Sequence, residues 1–127
     1  MTDHYTIDVD PHRRLMRATL SGFWNIQTVY AFLAEIEHKE AKLKVAGKPY
    51  FVMTDLTEFP VQTREIADEL ENHLKAWSNA GAFSAIISSS ALATLQVKRI
   101  AEGGNRRYFC AQDNAMDWLI SEGMIVG

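Results

Sequence analysis

The residues of this chain that could carry acid–base, nucleophilic or metal chemistry stand apart from one another. His4, His12, His38 and His73 fall in four different segments. No pair of them has the i, i+4 helix spacing that sets two imidazoles against one zinc ion. They read as surface histidines, and neither a metal nor any other cofactor is expected. Cys110 is the single cysteine, which excludes an internal disulfide and a multi-cysteine zinc site. It lies just before an expected helix but has no histidine beside it in sequence, so it reads as a buried or half-buried structural thiol. Ser88-Ser89-Ser90 stands between an expected strand and an expected helix. A nucleophile elbow needs glycines flanking the serine, because its strained turn leaves no room for Cβ atoms. None flank these serines, which suit helix N-capping instead. Asp55 follows an apolar strand, at the end of the sheet where open α/β folds bind ligands. As a catalytic acid it would need a second ionisable group set against it, and it reads better as a turn aspartate bonding its own backbone. Gly103-Gly104-Asn105-Arg106-Arg107, preceded by Lys98 and Arg99, is the most cationic stretch. It lacks the Gly-Lys-Ser or Gly-Lys-Thr of a phosphate-binding loop; these cations could meet a phosphate or an acidic partner, and they read better as a solvated edge.

The aromatic residues are more telling. Phe23 and Trp24 precede the first expected helix, and Phe59 precedes the second. Most large aromatic side chains belong in a core, where each gains roughly 1.5–3 kcal/mol by burial. These three sit in connections, where the core has less claim on them. In a sheet built from β-α-β units the strand-to-helix loops share one end. Phe23, Trp24 and Phe59, with Asp55 and Thr57 nearby, should therefore gather into an apolar mouth carrying a few polar groups, which is what a small greasy ligand requires.

The elements that would position this mouth follow from periodicity. Tyr5, Ile7 and Val9 alternate with Thr6, Asp8 and Asp10, giving an edge strand with one solvated face. Asp10-Pro11-His12-Arg13 turns the chain into a second strand, Leu15 to Leu20, which should pair with the first as an antiparallel hairpin ended by Gly22. Asn25 caps a helix of about five turns whose inner side carries Ile26, Val29, Tyr30, Leu33, Ile36 and Leu43, with Phe32 at its border. Gly47 and Pro49 stop it. Tyr50 to Met53 is an unbroken apolar run suited to a central strand, with a loop expected from Asp55 to Pro60. Ile66, Leu70, Leu74 and Trp77 mark a second amphipathic helix ending near Gly81. Phe83 to Ile87 is a fourth strand, a third helix runs from the serines to Gly103-Gly104, Arg107-Tyr108-Phe109 is a last strand, and Asp113 to Ser121 a last helix. The order is β-β-α-β-α-β-α-β-α, an α/β open mixed sheet, mostly parallel with an antiparallel first strand.

Size and charge agree with one domain over residues 1–127. The chain has 127 residues, 47% hydrophobic and 23% charged, with a net charge of −3. That is ordinary globular composition, without the basic footprint of a nucleic-acid binder. No apolar run approaches the roughly 20 residues that span a bilayer. The opening Met1-Thr2-Asp3-His4-Tyr5 lacks the regions of a secretory signal, so a cytoplasmic protein is expected.

This pattern resembles the STAS fold of bacterial anti-sigma-factor antagonists, in particular its SpoIIAA-like branch. The features that carry the likeness are the opening hairpin ending in Gly22 and followed directly by a long helix, the strand Tyr50-Phe51-Val52-Met53 running into Asp55-Leu56-Thr57, the strand Ala85-Ile86-Ile87, and the ending in which Phe109 is followed by Asp113, Ala115 and Trp118-Leu119. The resemblance covers nearly the whole chain. It implies a fold widely used for binding, including of small apolar or lipid ligands. Regulatory antagonists share an Asp-Ser-Ser-Gly or Asp-Ser-Thr-Gly motif whose serine is phosphorylated. The corresponding stretch here is Val61-Gln62-Thr63-Arg64-Glu65-Ile66, so no phosphorylation site carries over. A non-enzymatic domain binding a small apolar molecule or lipid is expected. A protein-interaction module, meeting another chain or a second copy as a homodimer, is the alternative. A small-molecule enzyme using Asp55 or Ser90 with Arg106 or Arg107 ranks third.

Overall fold

Tyr5–Asp10 forms strand β1, and a turn returns the chain into β2, Leu15–Ser21. Asp10 Oδ1 accepts from the Arg13 backbone N–H at 3.3 Å, and Arg14 takes a left-handed φ of 51° to complete the reversal. The computed structural model describes residues 4–44, 48–79, 81–88 and 105–126. Gly22, at φ 73°, then turns the chain off the sheet toward helix α1, Ile26–Glu40. The Asn25 side chain caps that helix by accepting from the Thr28 N–H at 2.8 Å. The remaining elements are β3 (Phe51–Glu58), α2 (Arg64–Asn79), β4 (Phe83–Ile87), β5 (Arg106–Phe109) and α3 (Gln112–Ser121).

The five strands lie in the order β1-β2-β3-β4-β5. β1 is antiparallel to β2, and every other pair is parallel. Side chains alternate between the two faces of the sheet, and each face has its own core. Ile7, Met16, Ala18, Leu20 and Val52 face Val29, Phe32 and Ile36 of α1 and Ile66 of α2. Leu15, Phe51, Met53, Ala85 and Ile87 face Ala115, Trp118 and Leu119 of α3. Helices on both faces explain why β3 opens with four consecutive buried residues, Phe51 to Thr54. At the edge, Thr6, Asp8 and Asp10 of β1 are exposed, as their alternation requires.

The structure departs from the sequence expectations in several places. β3 runs on through Asp55 to Glu58, where a loop was expected. Thr19 and Ser21 of β2 and Ile87 of β4 stand opposite Asp55 and Glu58, and backbone partners on both sides outweigh the local turn preference. α1 has 15 residues and is shorter than five turns; Leu43 is buried in the turn that follows. Tyr30 is 57% exposed, whereas Phe32 is buried, because the Phe32 ring packs on Tyr5 and Trp24 at 5.2 and 5.1 Å and takes the inner side of the helix. Cys110 is exposed rather than buried, since it lies in the bend between β5 and α3 and outside both cores. The helix expected between Ser88-Ser89-Ser90 and Gly103-Gly104 lies, apart from Ser88, outside the described residues, as does Gly47. No helix among the described residues is long and apolar enough to cross a membrane.

Candidate functional site

The β2–α1 and β3–α2 connections leave the same end of the sheet, and Gln62 ties them together. Its Oε1 accepts from the Trp24 backbone N–H at 2.9 Å, and its Nε2 donates to the carbonyls of Gly22 at 3.0 Å and Pro60 at 2.8 Å. Gly22 N–H adds a bond to the Glu58 carbonyl at 3.3 Å. A side-chain amide has one acceptor and two donors, so a single Gln meets three backbone groups that the loops would otherwise leave to water. Trp24 is held further by its indole N–H, which donates to the Ser21 carbonyl at 2.9 Å.

Trp24 is buried, and its ring meets Tyr5, Phe32 and Phe59 at centroid distances of 5.7, 5.1 and 5.2 Å. The edge-to-face contacts are the arrangement that ring quadrupoles prefer. Behind Phe59 lies a cavity of about 60 Å³ between the sheet and its two helices. Leu20, Thr54, Leu56 and Ile86 form its floor on the sheet, Phe32 and Leu33 its wall on α1, and Leu70 and His73 its wall on α2. The volume is roughly twice the share of one water in the liquid, and an apolar void of this kind stays dry unless polar partners are present. One buried polar group on the floor is the Thr54 hydroxyl, which has no hydrogen-bond partner among the described residues.

The wall on α2 carries one titratable group. His73 on α2 faces Glu40 and Glu37 of α1. Burial holds its imidazole below the usual 6.5, against the pull of the two carboxylates in the other direction. Glu40 is itself buried and accepts a hydrogen bond from the Tyr50 hydroxyl at 3.1 Å. Burial first, then the charge of Glu40 and that bond, pushes the Tyr50 phenol above its ordinary 10. The cavity thus has an imidazole of lowered basicity on one wall and the Thr54 hydroxyl on its floor, and the rest of its lining is apolar. A second depression of about 430 Å³ lies open on the opposite face of the hairpin, beside Asp8, Asp10, Arg13 and Arg17. Its charges are of both signs, and Arg13 already lies 3.6 Å from Asp10.

Of the five residues singled out from the sequence, the structure brings Trp24 and Phe59 together, and Phe59 lines the cavity. Phe23 is 73% exposed and points away from it. Asp55 and Thr57 belong to the other face of the sheet, because Leu56 between them supplies the cavity floor. Asp55 Oδ1 accepts from both the backbone N–H and the hydroxyl of Thr57, at 2.9 and 2.6 Å, near the end of β3. Sequence reasoning missed Gln62, Thr54 and His73. His73 was legible, since it follows Ile66 and Leu70 at helical spacing and so shares their inward stripe. Thr54 was legible as the polar residue in an otherwise apolar central strand. Gln62 had no signal, because its partners are backbone atoms of a distant loop. Among the described residues no group of three His, Cys, Asp or Glu side chains could hold a metal ion. No model of a known protein family matches the chain, and no curated protein matches it significantly.

Proposed function

We propose that this chain is a non-enzymatic binding domain of the SpoIIAA-like type, and that it holds a small apolar ligand, or the end of a lipid chain, between the sheet and helices α1 and α2. The observation that carries this reading is the mainly apolar cavity between the sheet and the two helices, which Phe59 helps to line. Close-packed interiors rarely leave a void larger than a water molecule, and each lost packing contact costs stability. A void whose lining is almost wholly apolar is suited to short hydrocarbon. A longer chain would need α2 to move outward about Phe59-Pro60, the connection by which it joins β3.

Trp24 reports on this directly, since its ring touches Phe59. Titration with medium-chain fatty acids and with isoprenoid alcohols should shift or quench tryptophan emission, and the Trp24→Phe variant should lose that change while still binding. Emission unaltered by every ligand in both series would remove the support for the reading.

A specific feature favours a protein-interaction module as the second reading. Phe23 and Val61, 73% and 53% exposed, occupy the two loops that Gln62 ties together. Large apolar side chains held at a rigid loop end suit a partner chain or a second copy. Native mass spectrometry of freshly purified protein separates the readings, because it shows a co-purifying small molecule, a dimer, or neither.

A further inference from the structure

On the sheet face that bears the cavity, three neighbouring polar side chains have hydrogen-bonding atoms shut away from water. Thr54 on β3 lines the cavity, Ser84 lies on β4, and Arg106 lies on β5. Thr54 Oγ1, Ser84 Oγ and Arg106 Nε and Nη1 are all buried, with no hydrogen-bond partner among the described residues. Thr54 is 6% exposed and Ser84 0%. The register makes the three contiguous. Val52 pairs with Ser84 and Thr54 with Ile86, so Ser84 is the diagonal neighbour of Thr54 on the same face. Ser84 pairs directly with Arg106, which sets their backbones about 5 Å apart. Of the three, only Thr54 lines the cavity; Ser84 and Arg106 lie beyond it on the same face, and Arg106 as a whole residue is half-buried.

Buried polar groups in folded proteins nearly always have partners, and each exception calls for an explanation. A guanidinium is the costliest exception, because it stays charged at any physiological pH and has donors only. The group that meets all three residues at once is an oxyanion. It accepts from the guanidinium by charge-assisted bonds and from both hydroxyls as well. We propose that Arg106, Ser84 and Thr54 form the head-group site for the ligand of the cavity, and that this ligand is an amphipathic anion, a short hydrocarbon chain ending in a carboxylate or a phosphate. The inference rests on the apolar-ligand reading and adds the chemical class that reading leaves open.

Calorimetric titration of the full chain with hexanoate, hexyl phosphate and 1-hexanol tests it. Wild-type protein should bind at least one of the two anions tenfold or more tightly than the alcohol, and whichever anion binds better identifies the head group. Arg106→Gln should abolish that preference while leaving hexanol affinity within twofold of wild type. Ser84→Ala should reduce it several-fold, and serves if Arg106→Gln does not fold. Binding of hexanol with no preference for either anion, or a preference that survives in both variants, overturns the head-group site and leaves the apolar cavity standing. Failure of all three ligands to bind overturns the cavity reading and the head-group site with it.

Discussion

Gln62 holds Trp24 in place from the opposite loop: the amide oxygen of the first accepts the backbone N–H of the second at 2.9 Å, across 38 residues of sequence. The two loops that flank the cavity mouth thus behave as one unit, and what moves Gln62 moves the aromatic cluster. Replacing Gln62 with Ala leaves the Trp24 N–H and the carbonyls of Gly22 and Pro60 to find water. The expected loss is about 1–3 kcal/mol of folding stability, the usual cost of partly buried groups deprived of partners. Gln62→Glu keeps the acceptor for Trp24 but sets a carboxylate oxygen against the carbonyls of Gly22 and Pro60, so at pH 7 it should be at least as destabilised as the Ala variant. Urea denaturation of the three proteins measures the order. A Glu variant as stable as wild type would show that the donor bonds contribute nothing.

Thr54 should trade stability against binding. Its hydroxyl is buried on the cavity floor without a partner among the described residues, and a buried unsatisfied group of this kind costs about 1–3 kcal/mol. Thr54→Val keeps the shape and removes the polar atom, so the free protein should gain roughly 1 kcal/mol. The same change removes a donor from the proposed head-group site and should weaken hexanoate binding. Thermal unfolding and titration of one variant give both numbers. A variant that is less stable than wild type would mean that the hydroxyl has an acceptor in solution.

The framework of this protein was written in local patterns, and its site was not. Alternation at Tyr5–Val9, the Asn25 cap and the apolar run at Tyr50–Met53 each declare an element through residues adjacent in sequence, and all three hold in the structure. Asp55 to Glu58 read as a turn because the strands that pair with that segment lie far away in the chain. Phe23 and Trp24 look alike as neighbours in a connection, yet one is 73% exposed and the other 6%. Which of the two neighbours faced the core depended on where Phe32 and Phe59 came to rest. The cavity itself is a shortfall of packing between three elements, and no single segment records it.

The Glu40–Tyr50 pair predicts how stability changes in base. The Tyr50 phenol is held above its ordinary 10 by burial, by the Glu40 charge and by the 3.1 Å bond. Above about pH 10 the unfolded chain releases this proton while the folded chain keeps it, so stability that is complete below that pH is lost as pH rises toward the folded value. Tyr50→Phe removes a hydrogen bond to a buried carboxylate and should cost about 1.5–3 kcal/mol at pH 7. It should also flatten the decline between about pH 10 and 12. Denaturation midpoints of the two proteins across that range test the pair, and parallel declines would mean that the alkaline loss arises elsewhere.

His73 predicts the opposite dependence in acid. Burial lowers its imidazole below 6.5, and the carboxylates of Glu40 and Glu37 oppose that shift without cancelling it. The unfolded chain therefore takes up a proton at a pH where the folded chain does not. The contribution of His73 is complete above about pH 6.5 and is lost as pH falls through the folded value. Protonation would also place a cation in the wall of an apolar cavity, so a neutral ligand such as hexanol should bind more weakly at pH 5 than at pH 7.5. His73→Leu replaces the imidazole with hydrocarbon and should remove both effects, leaving hexanol affinity unchanged over that range. Titrating wild type and variant at the two pH values separates this from general acid destabilisation, because general destabilisation would weaken hexanol binding in both proteins alike.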